Sequence, residues 1–480
     1  MKRLLLLLLL FLNMAVIFSQ DDKPNIVVIY ADDWGWGDLG CYGNRRIKTP
    51  NLDRLAGEGM MFTQFYVNSA VCSPSRAALM TGKYPAELRI HGHFANDESN
   101  GKRGMVNFLD PEIPNYMNIL KSEGYATGHF GKWHLGSGIT APEPEAYGVD
   151  EYRVSAGNGP QFDFRVVYHK WPPRYYEGEE QPPPDPGNRS TSSEKIINEA
   201  ISFIEKHKDE RIALNIWLLD VHSTLDPSED QLEEYKRMMP GELEDKYPGV
   251  NAVYAAAMTG ADKQIGRFLD RLEELGLEEN TVVFFATDNG PEDISLSETS
   301  HSAGGNTGPH RGRKRSLYEG GIRVPFIVRY PNVVMDGQIN TGTVVSAVDI
   351  LPTICDLIGH EIPDGTRGES MLDVLSGESR SRETDLFWEW RYGIMGHFMH
   401  FSPALAMRSG DWKLLMNPDY SRVELYNIVN DPGEMDNLAD EMPEKVKQMS
   451  DVLMTWHNGN PEGPGKENCI QYTWEIPGLE

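Results

Sequence analysis

Residues 25–33 read NIVVIYADD, an apolar and β-branched run that ends in two aspartates. Such a run is typical of a strand that is buried on both faces, as the strands of parallel sheets are. Three later runs have the same character, namely IALNIWLL at 212–219, TVVFFAT at 281–287 and VPFIVRY at 324–330. Segments with helical periodicity alternate with these runs. The alternation predicts an α/β fold in which helices sandwich a mostly parallel central sheet.

Two predicted helices precede predicted strands directly. Residues 193–207 carry an apolar helix face, and residues 259–276 form a helix that ends at Gly276. The pattern changes after residue 376 to two antiparallel strands, at 406–417 and 422–431, followed by a helix at 441–457. We therefore predict a large catalytic domain at 20–376 and a small C-terminal α+β subdomain at 377–480 that packs on the main sheet.

The first 19 residues have the pattern of a secretory signal peptide. Lys2 and Arg3 precede an apolar run from Leu4 to Leu12, and the segment ends near Ser19. The alternative is a retained membrane anchor, for which the apolar run is short. We expect an exported protein, periplasmic or secreted, without a stable membrane anchor.

The composition excludes one class of partner. The formal net charge is −27 at pH 7, and a surface with so much negative charge repels nucleic acid. Three of the four cysteines, Cys41, Cys355 and Cys469, are widely spaced and show no zinc-ligand pattern. One disulfide among these three is possible in an exported protein, and the sequence leaves its pairing open.

Polar residues follow three of the predicted strands. The first strand runs into Asp32 and Asp33, the second into the turn 220–222, and the third into Asp288 and Asn289. In an open α/β sheet the ligand site lies beyond the carboxyl ends of the strands, so these residues can converge in one crevice. Oxygen ligands of this kind suit calcium or magnesium. Taken singly, each group is more often a turn than a ligand set.

The fourth cysteine lies in the segment SAVCSPSRAALMTG, residues 69–82. Cys72 precedes a Ser-Pro-Ser turn, and the residues from Arg76 to Gly82 predict a short helix. Unpaired N–H groups at a helix N-terminus favour an oxyanion or a reactive group nearby. A buried structural thiol is the alternative reading.

These residues resemble the signature of the type I sulfatases, a family whose signature cysteine is oxidised to formylglycine by a maturation enzyme. The match begins with Cys-x-Pro-x-Arg at 72–76, and the resemblance extends over nearly the whole mature chain. Its other segments are PNIVVIYADDWGWGDLGCYG at 24–43, GKWHLG at 131–136, TDNG at 287–290 and GRKRSLYEGGIRVP at 312–325. The resemblance implies a fold like that of alkaline phosphatase and the activity of a sulfuric ester hydrolase. Within the family, the N-acetylgalactosamine-6-sulfatase branch is the most similar.

The resemblance also implies a role for each residue of the site. One calcium ion would be held by formylglycine at position 72 and by Asp32, Asp33, Asp288 and Asn289. Arg76 would hold the formylglycine, with Lys132 and His134 on its flanks. His222 and Lys314 would face the sulfate ester and its leaving oxygen.

The chemistry of sulfate ester hydrolysis explains why these residue types are needed. An aldehyde hydrate offers two hydroxyls, of which one attacks sulfur and the other, once deprotonated, expels sulfate. Calcium would polarise the sulfate oxygens and lower the pKa of the attacking hydroxyl. By analogy, His134 takes the proton that drives elimination, and His222 with Lys314 protonates the departing alcohol. The charges of calcium, of the three cationic side chains Arg76, Lys132 and Lys314, and of three aspartates add up to about +2. This net charge suits an anionic ester.

The substrate is less well defined by the sequence. Export and the branch resemblance favour a sulfated polysaccharide or its oligosaccharides, such as an algal sulfated glycan or a glycosaminoglycan. Basic residues around Lys314 could contact further anionic groups, and so could three residues after the signature helix. These candidates are His310, Arg311, Arg313, Arg315, His91, His93 and Arg103. The alternatives are a formylglycine-dependent phosphonate or phosphodiester hydrolase, a general arylsulfatase, and a catalytically dead carbohydrate-binding relative.

Overall fold

The structure is a computed structural model of the 480-residue chain. It describes residues 23–136, 140–155, 189–239 apart from 224 and 226, 250–293, 300–393 and 396–463, together with two short strands at 166–167 and 174–175. The predicted leader and Cys469 lie outside the described residues. Within the described part, no helix combines the length and the apolar character needed to cross a bilayer.

Fifteen strands form three sheets in the described residues. They are β1 Asn25–Ala31, β2 Met60–Tyr66, β3 Ala126–Lys132, β4 Glu151–Ser155, β5 Val166–Val167, β6 Arg174–Tyr175, β7 Ile212–Trp217, β8 Thr281–Thr287, β9 Arg323–Arg329, β10 Gln338–Asn340, β11 Val345–Ser346, β12 Leu386–Glu389, β13 Leu405–Ser409, β14 Trp412–Met416 and β15 Glu424–Asn427.

The α-helices, numbered in chain order, surround these sheets. They are α1 Pro50–Gly57, α2 Cys72–Thr81, α3 Asp97–Lys102, α4 Tyr116–Ser122, α5 Ser192–Lys206, α6 Glu229–Met238, α7 Val250–Glu274, α8 Glu319–Ile322, α9 Ile350–Ile358, α10 Leu372–Leu375 and α11 Pro443–Gly459.

The central sheet confirms the predicted α/β fold. Its strand order is β10-β2-β9-β8-β1-β7-β3-β4, and β11 also pairs with β2. Every neighbouring pair is parallel except the two pairs that β9 makes with β2 and β8. The four runs predicted as strands correspond to β1, β7, β8 and β9. The first of them, β1, lies between β8 and β7, so three polar strand ends emerge side by side.

Strand β1 shows why the apolar run is continuous. Ile26, Val28 and Tyr30 pack into an apolar cluster on one face of the sheet. Val27 and Ile29 pack into a second cluster on the other face. Because successive side chains of a strand point to opposite faces, a strand between two helical layers needs apolar residues at every position. Helices α2, α4 and α9 contribute to the first cluster, and α1, α5 and α7 contribute to the second.

Strand β3 was not predicted, because its sequence ATGHFGK lacks a β-branched apolar run. Its small residues allow a close approach to β7. A Cβ atom on Gly131 would lie 1.9 Å from the carbonyl oxygen of Trp217, and the φ of Gly131 is +116°. Only glycine fits such a position, and this contact places the next residue, Lys132, at the strand end.

The C-terminal part contains the predicted small antiparallel sheet, but residues 406–417, predicted as one strand, form β13 and β14, because the chain turns at Gly410 with a φ of 56°. The sheet has the strand order β12-β13-β14-β15, and α11 packs on it through Met449 and Leu453. The predicted division at residue 376 stays a prediction. Among the described cysteines, Cys41, Cys72 and Cys355 are free thiols.

A buried ionic cluster joins the small sheet to the catalytic part. Lys413 on β14 donates from Nζ to Glu319 on α8 and forms an ion pair with Glu434, with both distances 2.9 Å and all three side chains fully buried. Burial and the charge of Lys413 act in opposite directions on both carboxyls. The pKa of Glu434 is raised to about 7 by burial, while Lys413 and Arg323 overcome burial at Glu319 and lower its pKa.

We expect replacement of Lys413 by methionine to destabilise the protein by about 3–5 kcal/mol, because it removes the cation of the buried Glu434 and leaves Glu319 paired with Arg323. Urea denaturation of the two proteins measures this difference. Lys447→Met is the matched control, since the Lys447 side chain is 73% exposed and pairs with Asp451 across one helical turn. A loss in Lys413→Met no larger than in this control would contradict the prediction.

Candidate active site

The carboxyl ends of β1, β8 and β7 bring the predicted ligands together. Asp32 and Asp33 follow β1, and Asp288 follows β8, which is its parallel neighbour. Ligand atoms of these three carboxylates and the Cys72 Sγ all lie within 4.8 Å of one another. All four side chains are buried. The same edge of the sheet also presents His222, from the turn that follows β7, within reach of Asp32 and Cys72.

Cys72 is the first residue of α2, whereas the sequence predicted a helix that begins at Arg76. Val71 is the N-cap and is extended, with φ −148° and ψ 163°. Pro74 lies in the first helical turn, where the missing N–H has no intrahelical partner to lose, so the Ser-Pro-Ser segment is helical. The Sγ atom is 3.6 Å from Asp32 Oδ1. Burial raises the pKa of the Cys72 thiol to about 12, so an unmodified cysteine here is neutral.

Each carboxylate has a buried cation as its partner. Arg76 donates from Nε and Nη2 to Asp288 Oδ2, at 3.0 and 2.7 Å. The Nζ atom of Lys132 is 2.6 Å from Asp32 Oδ2. The partner of Asp33 is Lys314, whose Nζ is 2.6 Å from both carboxylate oxygens. The rings of Tyr30 and Trp217 lie 5.5 and 5.0 Å from the Arg76 guanidinium carbon and hold it in place.

The three carboxyls titrate differently because their surroundings differ. Burial alone would raise the pKa of Asp32, but the charges of Lys132 and His222 hold it well below its usual range. Burial and the neighbouring carboxylates outweigh the charge of Lys314 and raise the pKa of Asp33 to about 7. The pKa of Asp288 is also raised, by burial and by Asp32. Crowded carboxyls of this kind favour a bound cation.

Asn289 provides a test of whether a metal ion fits this cluster. Its Nδ2 donates to Asp33 Oδ1 at 2.6 Å and to the Gly290 carbonyl at 2.8 Å. Its Oδ1 is buried and has no hydrogen-bond partner among the described residues. An orphaned amide oxygen beside three carboxylates is the donor set of a hard cation such as Ca²⁺ or Mg²⁺. The residues therefore fit the metal ion that the family resemblance implied.

Left-handed backbone occurs repeatedly around this cluster. Asp33, His134, Val221 and Arg315 have φ values of 66°, 54°, 66° and 74°. Non-glycine residues adopt this conformation at a cost of about 1–3 kcal/mol, and they gather at functional sites. At Asp33 the backbone N–H donates to Asp288 Oδ1 at 3.2 Å, which ties two strand ends together.

The two histidines of the site differ in environment. Nε2 of His134 is 3.3 Å from the Phe94 carbonyl oxygen, and its Nδ1 is buried with no hydrogen-bond partner among the described residues. Burial and the charge of Lys132 lower the pKa of His134 well below its usual value, so the ring is neutral. His222 is more exposed, with Nε2 3.9 Å from Asp33 Oδ2 and Nδ1 3.1 Å from the Ser223 carbonyl oxygen.

Comparison with protein families identifies the chain. The family model described as Sulfatase matches residues 24–360, which include every residue of this cluster. The chain belongs to the sulfatase family. A second model, described as N-sulphoglucosamine sulphohydrolase, C-terminal, matches residues 310–458. The protein is a type I sulfatase of the alkaline-phosphatase-like superfamily, and so a sulfuric ester hydrolase.

Two named sulfatases and one solved structure are similar to this chain over more than 90% of its length. The N-acetylgalactosamine-6-O-sulfatase of Bacteroides thetaiotaomicron is 30% identical, and the alignment covers 91% of this chain and 93% of that protein. The N-acetylgalactosamine-6-sulfatase of Rattus norvegicus is 30% identical over 95% of this chain and 90% of its own length. The crystal structure of Ps i-CgsB in complex with k-i-k-neocarrahexaose superposes with a TM-score of 0.74 at 25% identity, covering 95% of each chain.

The basic segment 310–315 of the sulfatase divides into two groups. Three of its side chains are directed to other parts of the protein, where they bond backbone carbonyls. His310 contacts the Pro432 carbonyl, Arg311 donates to those of Met399 and Glu434, and Arg313 donates to those of Glu292, Ala303 and Gly305. Lys314 and Arg315 remain at the carboxylate cluster. His310, Arg311 and Arg313 therefore help to hold neighbouring loops together through these backbone contacts.

Glu292 is a residue of the site that sequence reasoning missed. Both of its carboxylate oxygens accept from Arg315, and one of them is 3.8 Å from Lys314 Nζ. The charges of Lys314 and Arg315 outweigh burial and lower the pKa of Glu292 to about 2. It lies two positions after Gly290 of the TDNG segment, and this proximity in sequence was the available signal.

The three candidates after the signature helix separate in the structure. His91 lies against the C-terminal sheet, with Nδ1 2.9 Å from Glu389 Oε1. His93 and Arg103 lie together, with Arg103 Nη1 3.3 Å from His93 Nε2. His93 precedes Phe94, whose carbonyl oxygen is 3.3 Å from His134 Nε2, and this contact places His93 beside the catalytic cluster.

Proposed function

We propose that the protein is an exported sulfatase that hydrolyses sulfate esters of a sulfated polysaccharide or of its oligosaccharides. Its nucleophile is formylglycine, made from Cys72 by a maturation enzyme, and its metal is one calcium ion. The observation that carries this proposal is the buried cluster of Cys72 with three carboxylates, an orphaned asparagine oxygen and three paired cations.

Each part of that cluster has a task in sulfate transfer. When bound, calcium supplies a Lewis acid that polarises the sulfate oxygens, and the hydrated aldehyde at position 72 supplies the attacking hydroxyl. Asp32, Asp33, Asp288 and Asn289 hold the cation by their side-chain oxygens. Arg76 keeps Asp288 in position through its two hydrogen bonds.

Lys132 and Lys314 stabilise the negative charge that the transition state carries. Both ammonium groups lie at the cluster, and both are at least 96% buried. In a buried site a fixed positive charge acts more strongly than in water, because little solvent screens it. Lys314 keeps its proton, since the charge of Asp33 outweighs burial and raises its pKa.

The two histidines handle protons at opposite ends of the reaction. A neutral His134 can accept a proton from the nucleophile's second hydroxyl, which is the step that releases sulfate. His222 is partly exposed and close to Asp33, so it suits protonation of the departing alcohol on the side where the substrate enters.

The carbohydrate substrate is supported by the names of the relatives. Two of them are called N-acetylgalactosamine-6-sulfatases, and a solved neighbour is a complex with neocarrahexaose. The candidate sugar contacts near the cluster are His93, Arg103 and Arg315, with His91 more distant. Export is supported by the N-terminal sequence of basic and apolar residues alone.

A screen of sulfated oligosaccharides for released sulfate tests this function. We expect kcat/KM for at least one sulfated sugar to exceed that for its phosphate counterpart by more than about tenfold, equivalent to about 1.4 kcal/mol of transition-state binding. The same screen includes 4-nitrophenyl sulfate and phenyl phosphonate esters. Turnover of aryl sulfates alone would contradict the carbohydrate assignment, and preference for the phosphonate would favour the related hydrolase activity.

A further inference from the structure

The segment 92–94 lies directly against the nucleophile. The backbone N–H of Phe94 donates to Ser73 Oγ at 3.0 Å, and Ser73 follows Cys72 in the chain. The carbonyl oxygen of Phe94 is 3.3 Å from Nε2 of His134. The segment is therefore fixed to His134 and to the residue that follows Cys72, and it lies beside the catalytic cluster.

His93 is at the centre of this segment, among positive charges. Burial, together with the charges of Arg103, Arg315 and Lys314, lowers the pKa of His93 to about 3. The imidazole is neutral at physiological pH, so it adds no charge of its own. Its Nε2 is 3.3 Å from Arg103 Nη1 and accepts from it, because a guanidinium can only donate.

Arg103 is held firmly in place. Its Nη1 also donates to the carbonyl oxygen of His93 at 3.1 Å. Tyr392, from the C-terminal part of the chain, donates from its hydroxyl to the Arg103 carbonyl at 3.1 Å, and its ring lies 5.7 Å from the guanidinium carbon. A Cβ atom at Gly92 would lie 2.8 Å from this ring, so the glycine lets the tyrosine pack here. The guanidinium is consequently preorganised.

Unlike the other cations near the cluster, Arg103 has no carboxylate partner among the described residues. The others each face a carboxylate, in the pairs Lys132–Asp32, Lys314–Asp33 and Arg315–Glu292. Across the described residues, Arg103 makes no ion pair, and its hydrogen bonds go to a neutral ring and a carbonyl oxygen. In a protein with net charge −27, a fixed and uncompensated guanidinium beside the catalytic cluster indicates that its anionic partner comes from outside.

We propose that Arg103 is a specificity-determining residue that binds a second anionic group of the substrate, next to the sulfate that is hydrolysed. The preferred substrate class is then a sugar unit with two neighbouring negative charges, either a second sulfate or a carboxylate. This inference rests on the proposed carbohydrate sulfatase function and names the substrate class of that same site. Through Tyr392, the C-terminal part of the chain helps to hold Arg103 in position for this contact.

The test measures binding separately from turnover. In calcium-loaded protein carrying Cys72→Ala, calorimetry gives the affinity for N-acetylgalactosamine 6-sulfate and for N-acetylgalactosamine 4,6-disulfate at one ionic strength. We expect the disulfate to bind roughly 10- to 100-fold more tightly, and Arg103→Gln to remove most of this difference. Arg103→Lys should recover part of it, because the charge is kept and the planar fork is lost.

Lys102→Gln is the matched control, since it removes one positive charge from the adjacent position. The Lys102 side chain is 71% exposed and pairs with Glu98. It should leave the ratio of the two affinities unchanged. Equal affinity for the two sugars, including no measurable binding of either, overturns the inference, and so does an Arg103→Gln variant that weakens both equally. Absence of sulfate release by the active enzyme would instead overturn the proposed function.

Discussion

Replacement of Cys72 by alanine is expected to lower kcat for sulfate ester hydrolysis by at least about 10³-fold, because it removes the atom from which the nucleophile is made. The fold should persist, since the side chain is small and its Sγ makes only a weak, 3.6 Å contact with Asp32. Released sulfate measured by ion chromatography checks the loss. Cys355→Ala is the control, because it removes another buried thiol, on α9, and should retain activity.

Mass spectrometry of the same position tests the maturation step. In enzyme from its native host, the peptide that contains residue 72 should carry an aldehyde in place of the thiol. The neutral, buried thiol supports this expectation, because the pKa of an unmodified Cys72 is about 12 and a neutral thiol is a poor nucleophile. A fully active preparation with only free thiol at this position would refute the formylglycine mechanism.

Replacement of Asp288 by asparagine is expected to reduce kcat by at least about 10³-fold and to weaken calcium binding. Asp288 is one of the clustered carboxylates, and it also receives both hydrogen bonds from the buried Arg76. Asparagine keeps the size of the side chain, so the loss reflects charge and not a cavity. Elemental analysis gives the bound calcium, and thermal unfolding shows that the variant is folded.

Asp262→Asn is the control for this measurement. Asp262 is also a buried carboxyl with a raised pKa, but it accepts from Asn51 and Leu52 on α1, outside the cluster. This variant should keep its calcium and its activity. Chelation should inactivate the wild-type enzyme, and calcium should restore it best. Full activity after complete removal of metal would contradict the assignment.

Residue patterns predicted the positions of some residues of the candidate site but not of others. Asp32 and Asp288 could be placed at one edge of the sheet because both follow apolar runs that parallel pairing brings side by side. Lys132 could not be placed in this way, since its strand contains two glycines and few apolar residues. It was found only through the family resemblance of the GKWHLG segment. Its position depends on the contact between Gly131 and Trp217, which no local pattern encodes.

The basic segment shows the opposite case, in which the sequence identified charges without their partners. Lys314 and Arg313 are adjacent and chemically similar, yet Lys314 binds Asp33 while Arg313 donates to three backbone carbonyls. The segment is a turn and not a strand, and the two side chains find their partners in different parts of the chain, Asp33 in one case and the backbone of residues 292–305 in the other. A charge run therefore predicts a function for the segment but not for each of its residues.

By itself, the sequence determined the α/β class and the edge of the sheet at which the acidic residues meet. These features depend on local periodicity and on neighbouring residues, which a single chain displays directly. Only the tertiary structure decided which of the basic side chains have a carboxylate partner. Glu292 neutralises Arg315 and Tyr392 supports Arg103, although in sequence the second pair is separated by 289 residues. Long-range packing sets these contacts, because each depends on where two distant segments come to lie.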